Sequence, residues 1–162
     1  MMHTADPRRL LLLHEIELQC GFAFRGYGES AAAFERGDML GFWGAVQAIL
    51  NAAGRIHGLL GSLAEARGAL VPDGSPLLAR EMAAMADSGA VWQRWIAEHS
   101  LDTPRASNLG PFGASQGDPT GFARHIDEEH SVATIFGHSF NLAELLSALA
   151  NLRERVQTEL RP

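Results

Sequence analysis

The chain of 162 residues contains no lysine, one cysteine and no long uninterrupted apolar segment. A single cysteine, Cys20, forms no internal disulfide, which indicates a reducing compartment. The 13 basic residues are all arginines in scattered positions, and the formal net charge is -6. General attraction to nucleic acid or to an anionic membrane is therefore not expected.

Polar residues interrupt the apolar runs of the sequence before they reach the length of a membrane span. His14 and Glu15 end the first apolar run before it reaches the length of a signal peptide or a transmembrane helix. We therefore expect a cytoplasmic protein without a membrane partner. A composition of 46% hydrophobic and 20% charged residues is typical of a globular chain, and its length suits one domain, residues 1–162.

Apolar residues recur every three or four positions in four segments, as amphipathic helices require. The first helix is signalled by Asp6 and Pro7, and its predicted buried stripe is Leu10, Leu13, Ile16, Cys20, Phe24 and Tyr27. Glycines weaken its second half, so a kink or an early end near Gly26 is compatible with the sequence.

The other three helices also carry start signals. Asp38 precedes the second helix, Ser75 and a following proline open the third, and Asn141 caps the last. The predicted buried stripes are Met39, Phe42, Val46, Ile49, Ala53, Ile56, Leu60 and Leu63 in the second helix, Leu78, Met82, Met85, Trp92 and Ile96 in the third, and Leu142, Leu145, Leu149, Leu152 and Val156 in the last. The third helix is expected to end near His99. The pattern predicts a mainly α protein, a four-helix bundle.

The segment between the third and last helices has a different composition. Residues 101–120 are rich in Pro, Gly, Ser and Asn and lack hydrophobic periodicity, which predicts a long loop. Residues 122–126 and 132–136 are short runs with β-forming residues around a polar turn. They predict a small β-hairpin between the third and last main helices.

Three histidines, His125, His130 and His138, lie in or beside this predicted hairpin among acidic residues. Imidazole and carboxylate groups bind metals, so one hypothesis is a metal or small-ligand site formed by these histidines. Their spacing matches neither Glu-x-x-His nor His-Glu-x-x-His, and a solvated turn is the competing interpretation. No cofactor is predicted.

Two further groups of residues have a structural and a functional interpretation. His57 falls in the apolar stripe of the second helix, where a hydrogen-bonded core histidine is the ordinary role. Trp43, Trp92 and Trp95, together with Phe42, have the spacing of core residues, although aromatic side chains also line ligand pockets.

Residues 42–56 (FWGAVQAILNAAGRI), followed by residues 75–77 at the start of the next helix, resemble a group of bacterial HEPN-like proteins. The Asn-Leu-Gly-Pro segment at 108–111 and residues 132–141, a strand leading into a capped helix, are similar to the same group. Together these segments span most of the chain. The resemblance implies a helical bundle, often a homodimer, which in active members cleaves RNA with an Arg and a His four to six residues apart.

Cleavage by a ribose 2'-hydroxyl needs a general acid or base and a cation near the phosphate. Residues 80–89, where the resemblance places the Arg and His, contain no histidine. The best match elsewhere is Arg94 with His99, at the end of the predicted third helix. Two cationic side chains at a helix C-terminus also have an ordinary role, because they interact favourably with the helix dipole.

Three functions are therefore considered. The first is a non-catalytic HEPN-like domain that acts as a binding or scaffold protein, as a homodimer and with a possible protein partner. The second is a metal-independent, toxin-like ribonuclease that uses Arg94 and His99 on RNA. The third is a small-ligand or metal-binding protein that uses the hairpin histidines.

Overall fold

The computed structural model describes residues 6–98, 105–107 and 122–162. Within them the chain is mainly helical, as predicted, with a small sheet between the third and fourth α-helices. The α-helices are α1 (Pro7–Glu35), α2 (Met39–Ser62), α3 (Ser88–Glu98) and α4 (Leu142–Leu160). Between α2 and α3 lie three short 3-10 helices, Ala64–Ala69, Pro76–Leu78 and Arg80–Ala86.

Helix α1 begins where its sequence predicts and runs without a break past its glycines. The side chain of Asp6 accepts a hydrogen bond from the backbone of Arg8, and a proline occupies the first helical turn. Gly26 does not end the helix. A Cβ atom at Gly26 would lie 3.0 Å from the carbonyl oxygen of Ala45, so this glycine lets α1 and α2 approach closely.

The buried face of α1 differs from the prediction in its second half. Cys20 is buried as expected, but Tyr27 is 53% exposed. The buried face runs instead through Ala23, Gly26 and Ser30. The reason is tertiary, because α2 packs against α1 over this stretch.

Helices α2 and α4 match their predicted caps and most of their predicted stripes. The side chain of Asp38 accepts from the backbone of Gly41, and that of Asn141 accepts from the backbone of Glu144. Helix α4 packs against α1. The buried residues that were predicted for these two stripes are Phe42, Val46, Ile49, Ala53, Ile56, Leu60, Leu63, Leu145, Leu149, Leu152 and Val156.

The prediction of one continuous third helix from Ser75 to His99 is wrong. Extended backbone at Ala79, with a ψ of 136°, separates the second and third 3-10 helices, and Asp87, with a ψ of 83°, separates the third from α3. Met82 and Met85 are nevertheless buried. A 3-10 helix brings residues three apart to one side, so their spacing suits it as well as an α-helix.

The sheet has four strands: β1 (Arg105–Ser107), β2 (Phe122–Asp127), β3 (Val132–Ile135) and β4 (His138–Asn141). Strands β2 and β3 form the predicted hairpin, β4 pairs antiparallel with β3, and β1 pairs parallel with β2. The prediction that residues 101–120 are all loop is wrong at β1, whose backbone pairs with β2. The rest of that segment lies outside the described residues.

Strand β4 and helix α4 follow each other directly, which fixes the sheet against the helices. Phe136 and Gly137 form the tight turn between β3 and β4, with φ values of 48° and 84°, as a type I' turn requires. Ile126, Ile135 and Phe140 from three strands join one hydrophobic core with the helices. In the part of the chain that is described, no helix has the length and apolarity needed to cross a membrane.

Candidate functional site

Of the proposed Arg94 and His99 pair, the structure places only the arginine. Arg94 lies on α3 and is exposed to solvent. His99 lies outside the described residues. Residues 80–86, where the resemblance places the catalytic pair, form a 3-10 helix against α2.

The three hairpin histidines are not brought together by the sheet. His125 pairs with Thr134, and His138 pairs with Ile135. Thr134 and Ile135 are neighbours on β3, so their side chains and those of their partners point to opposite faces of the sheet. His130 lies in the turn between β2 and β3.

His130 is held by a carboxylate in that turn. Its Nδ1 lies 2.9 Å from Oδ2 of Asp127, and its backbone N–H donates to Oδ1 at 3.1 Å. These hydrogen bonds, the side-chain bond first, lower the pKa of Asp127. Across the described ranges no group of three or more His, Cys, Asp or Glu side chains is placed to hold a metal ion.

The structural interpretation of His57 is confirmed. The ring of His57 is half-buried, and its Nδ1 lies 2.8 Å from the carbonyl oxygen of Leu77. This contact joins α2 to the short 3-10 helix Pro76–Leu78. The described tryptophan side chains, Trp43 and Trp95, are 7% and 3% exposed and belong to the hydrophobic core.

Cys20 is fully buried between α1 and α4, with its Sγ 3.9 Å from the carbonyl oxygen of Leu149. Burial raises the pKa of its thiol from 9.0 to about 12, Arg153 acts in the opposite direction, and Glu17 adds to the increase. A thiol in this state is not a nucleophile at neutral pH. Its role is that of a small core residue.

Three exposed apolar side chains lie along one side of α1, away from the core. Leu11 is 71% exposed, Leu18 50% and Phe22 48%. They belong to a row along one side of the helix, with steps of alternating four and three residues, that we call the α1 stripe. The α1 stripe consists of Leu11, Glu15, Leu18, Phe22, Arg25 and Glu29.

A shallow groove of about 680 Å³ borders the α1 stripe on the side of α2. Gly26 forms part of its floor, and Gln47 at its edge accepts a hydrogen bond of 3.0 Å from Arg124 of β2. Burial of Arg124 lowers its pKa. The α2 residues that line the groove are Gly44, Gln47, Ala48, Asn51, Ala52 and Arg55.

An apolar cleft of about 480 Å³ lies on another side of α1, between α1, α4 and the β2–β3 turn. Phe42 and Ile49 from α2 also line it, and Tyr27 contributes a half-exposed ring. Glu35 and Glu128 are its charged side chains, and none of the described residues that line it is basic. The cleft therefore suits an apolar molecule with a positive group.

Sequence reasoning missed both the α1 stripe and the cleft. The spacing of Leu11, Leu18 and Phe22 was visible, but Leu10, Leu13 and the residues that follow them form a second apolar row on the same helix. From the sequence alone, the two rows do not show which one faces the core and which one is exposed. The cleft leaves no local pattern in the sequence, because four separate elements build it: α1, α2, α4 and the β2–β3 turn.

Searches against protein-family models, curated proteins and solved structures find no match for this chain.

Proposed function

We propose that this chain is a non-catalytic, HEPN-like helical domain that acts as a binding or scaffold protein and associates as a homodimer. The observation that carries the proposal is the α1 stripe, which exposes Leu11, Leu18 and Phe22 on one side of a long helix. Exposed apolar side chains grouped in this way mark protein interaction surfaces. The long α1–α2 pair, with α4 packed against α1, supports the bundle architecture.

Two features support a function without catalysis. Residues 80–89 hold no histidine, and Cys20, the one cysteine, is buried with a raised thiol pKa. The same unpaired cysteine supports a reducing, cytoplasmic location as part of the proposal.

Replacing Phe22 with glutamate tests the homodimer. The charge would lie beside Leu18 at the centre of the α1 stripe, where a partner would have to desolvate it. Aromatic anchors at interface centres contribute about 2 kcal/mol or more, so we expect the dissociation constant to rise at least about tenfold. Sedimentation equilibrium over a range of concentrations measures this change.

Tyr27→Glu is the matched control, because Tyr27 lies on the same helix with a similar exposure of 53% but faces the cleft. Its association should equal that of the wild type. A wild-type chain that stays monomeric at all concentrations would contradict the homodimer. RNA cleavage by the purified wild type, lost in Arg94→Ala, would contradict the non-catalytic function.

The apolar cleft favours small-ligand binding as a second candidate function. Cavities of this size with a few polar groups are typical of ligand sites, and aromatic rings with carboxylates attract cations. We expect 3-phenylpropylamine to bind more tightly than 3-phenylpropanol, which has the same apolar body without the charge. Isothermal titration calorimetry measures both.

The double variant Glu35→Gln, Glu128→Gln should remove the preference for the amine and leave the alcohol unchanged. Heat equal to background for both compounds would eliminate this candidate. Equal binding of both compounds to the wild type would show an apolar site in which the two carboxylates have no part.

A further inference from the structure

The α1 stripe has the spacing of a helix that pairs with another helix. Its six residues alternate steps of four and three, which is the pattern of core positions in a coiled coil. Leu18 and Phe22 form the centre of the stripe, and the charged residues Glu15 and Arg25 lie on either side of them. Because Glu15 lies on one side of the centre and Arg25 on the other, the stripe has a direction, from the negative to the positive residue.

This direction makes the stripe complementary to a second copy of itself. In an antiparallel pair centred on residue 20, Leu18 of one copy lies opposite Phe22 of the other, and Glu15 lies opposite Arg25. The two-fold axis repeats each contact, so the interface gains two apolar contacts and two ion pairs. Leu11 and Glu29 meet at the outer ends, where the carboxylate stays in water.

We infer that two copies of this chain pair through the α1 stripe in this antiparallel register, with Glu15 of each copy bound to Arg25 of the other. The inference rests on the proposed homodimer and specifies its contact. A parallel pair would place Glu15 against Glu15 and Arg25 against Arg25. Like charges at facing positions repel, so the charge pattern selects the antiparallel arrangement.

The present contacts of these two charged residues do not oppose the pairing. Arg25 binds Glu29 within its own helix at 2.8 Å, with side chains 78% and 56% exposed. Glu15 accepts a hydrogen bond of 2.9 Å from Gln19. An exposed pair four residues apart contributes only about 0.3–0.5 kcal/mol, so Arg25 can exchange its partner at little cost.

Two glycines beside the stripe support a close approach of another helix. Gly21 and Gly28 are seven residues apart, on the edge of the stripe away from α2. A Cβ atom at either position would meet nothing within 4 Å among the described residues, so packing within that part of the chain does not require them. Each one weakens the helix by about 1 kcal/mol relative to alanine. Their small size leaves room for the backbone of a partner helix.

Charge reversal tests the register. In a homodimer of Glu15→Arg, positions 15 and 25 of the two copies face each other and are both arginine. In a homodimer of Arg25→Glu, the same two positions are both glutamate. Each variant alone should therefore associate at least about tenfold more weakly than the wild type. A mixture of the two variants restores opposite charges at every contact, so we expect a heterodimer with close to wild-type affinity. Sedimentation velocity with one variant labelled measures the mixed species.

Glu65→Arg is the control, because it reverses an exposed charge on the first 3-10 helix, outside both the α1 stripe and the cleft, and should leave association unchanged. Circular dichroism verifies that each variant is folded. If the wild type is dimeric but the mixture associates no better than each variant alone, the register is wrong and the homodimer stands. If the wild type is monomeric, both are wrong.

Discussion

Gly54→Ala is expected to lower the free energy of unfolding by about 3 kcal/mol, the upper end for an overpacked core. A Cβ atom at Gly54 would lie 2.5 Å from the backbone nitrogen of Ala86 and 2.8 Å from the carbonyl carbon of Met85. Both atoms belong to the backbone of the third 3-10 helix, which cannot move aside as a flexible side chain does. Urea denaturation followed by circular dichroism measures the loss.

Gly58→Ala is the matched control on the same helix. A Cβ atom at Gly58 would meet nothing within 4 Å, and the residue is exposed. Alanine is the better helix former, so this variant should gain about 0.5–1 kcal/mol. The two variants thus have opposite signs. Equal stability changes would show that the third 3-10 helix does not pack directly on α2.

The same contact shows why the third helix was predicted wrongly. Ser75 and its following proline gave a correct start signal, and the spacing of Met82 and Met85 gave a correct buried face. The spacing of Met82 and Met85 is compatible with both an α-helix and a 3-10 helix. The 3-10 helix is found where α2 approaches closely at Gly54. No local pattern in residues 75–99 indicates that approach.

Helices α2 and α4 were predictable because the apolar residues of each form one continuous face between a clear N-cap and the end of the helix. Their caps at Asp38 and Asn141 and their stripes follow from local spacing. Helix α1 has contacts on several sides, so its apolar pattern does not indicate one buried face. Tyr27 was expected in the core and lies at the edge of the cleft, because α2 occupies the adjacent face.

The candidate sites were less predictable than the helices. The three hairpin histidines are close in sequence, but the strand register decides their faces, and it separates His125 from His138. The metal hypothesis depended on closeness in sequence alone. The α1 stripe, by contrast, lies within one helix, where spacing in sequence fixes spacing in space. For this reason the pairing of two α1 stripes can be specified residue by residue.

The stability of the protein is expected to fall between pH 9 and pH 12 because of Cys20. The folded state raises the pKa of this thiol from 9.0 to about 12. Between these values the folded thiol keeps its proton while the unfolded thiol loses it, so rising pH favours the unfolded state. At 1.36 kcal/mol per pKa unit, the full loss is about 4 kcal/mol by pH 12 and about 2 kcal/mol by pH 10.5.

The composition makes this measurement unusually clean. The sequence contains no lysine and one tyrosine, Tyr27, so few other side chains titrate in this range. Urea denaturation at pH 8 and pH 10.5 gives the difference in unfolding free energy. In Cys20→Ala the core cavity lowers stability at both pH values, but the difference between them should largely disappear. Tyr27→Phe should keep the wild-type difference.

Thiol reactivity provides an independent readout of the same burial. At pH 8 the folded protein should react with Ellman's reagent only as fast as it opens, whereas the urea-unfolded chain should react at once, since attack needs an accessible thiolate. Rapid reaction of the folded protein would place Cys20 at the surface and remove the cause of the pKa shift. Slow reaction together with a pH-independent stability would instead show that Arg153, which favours the thiolate, balances the effect of burial.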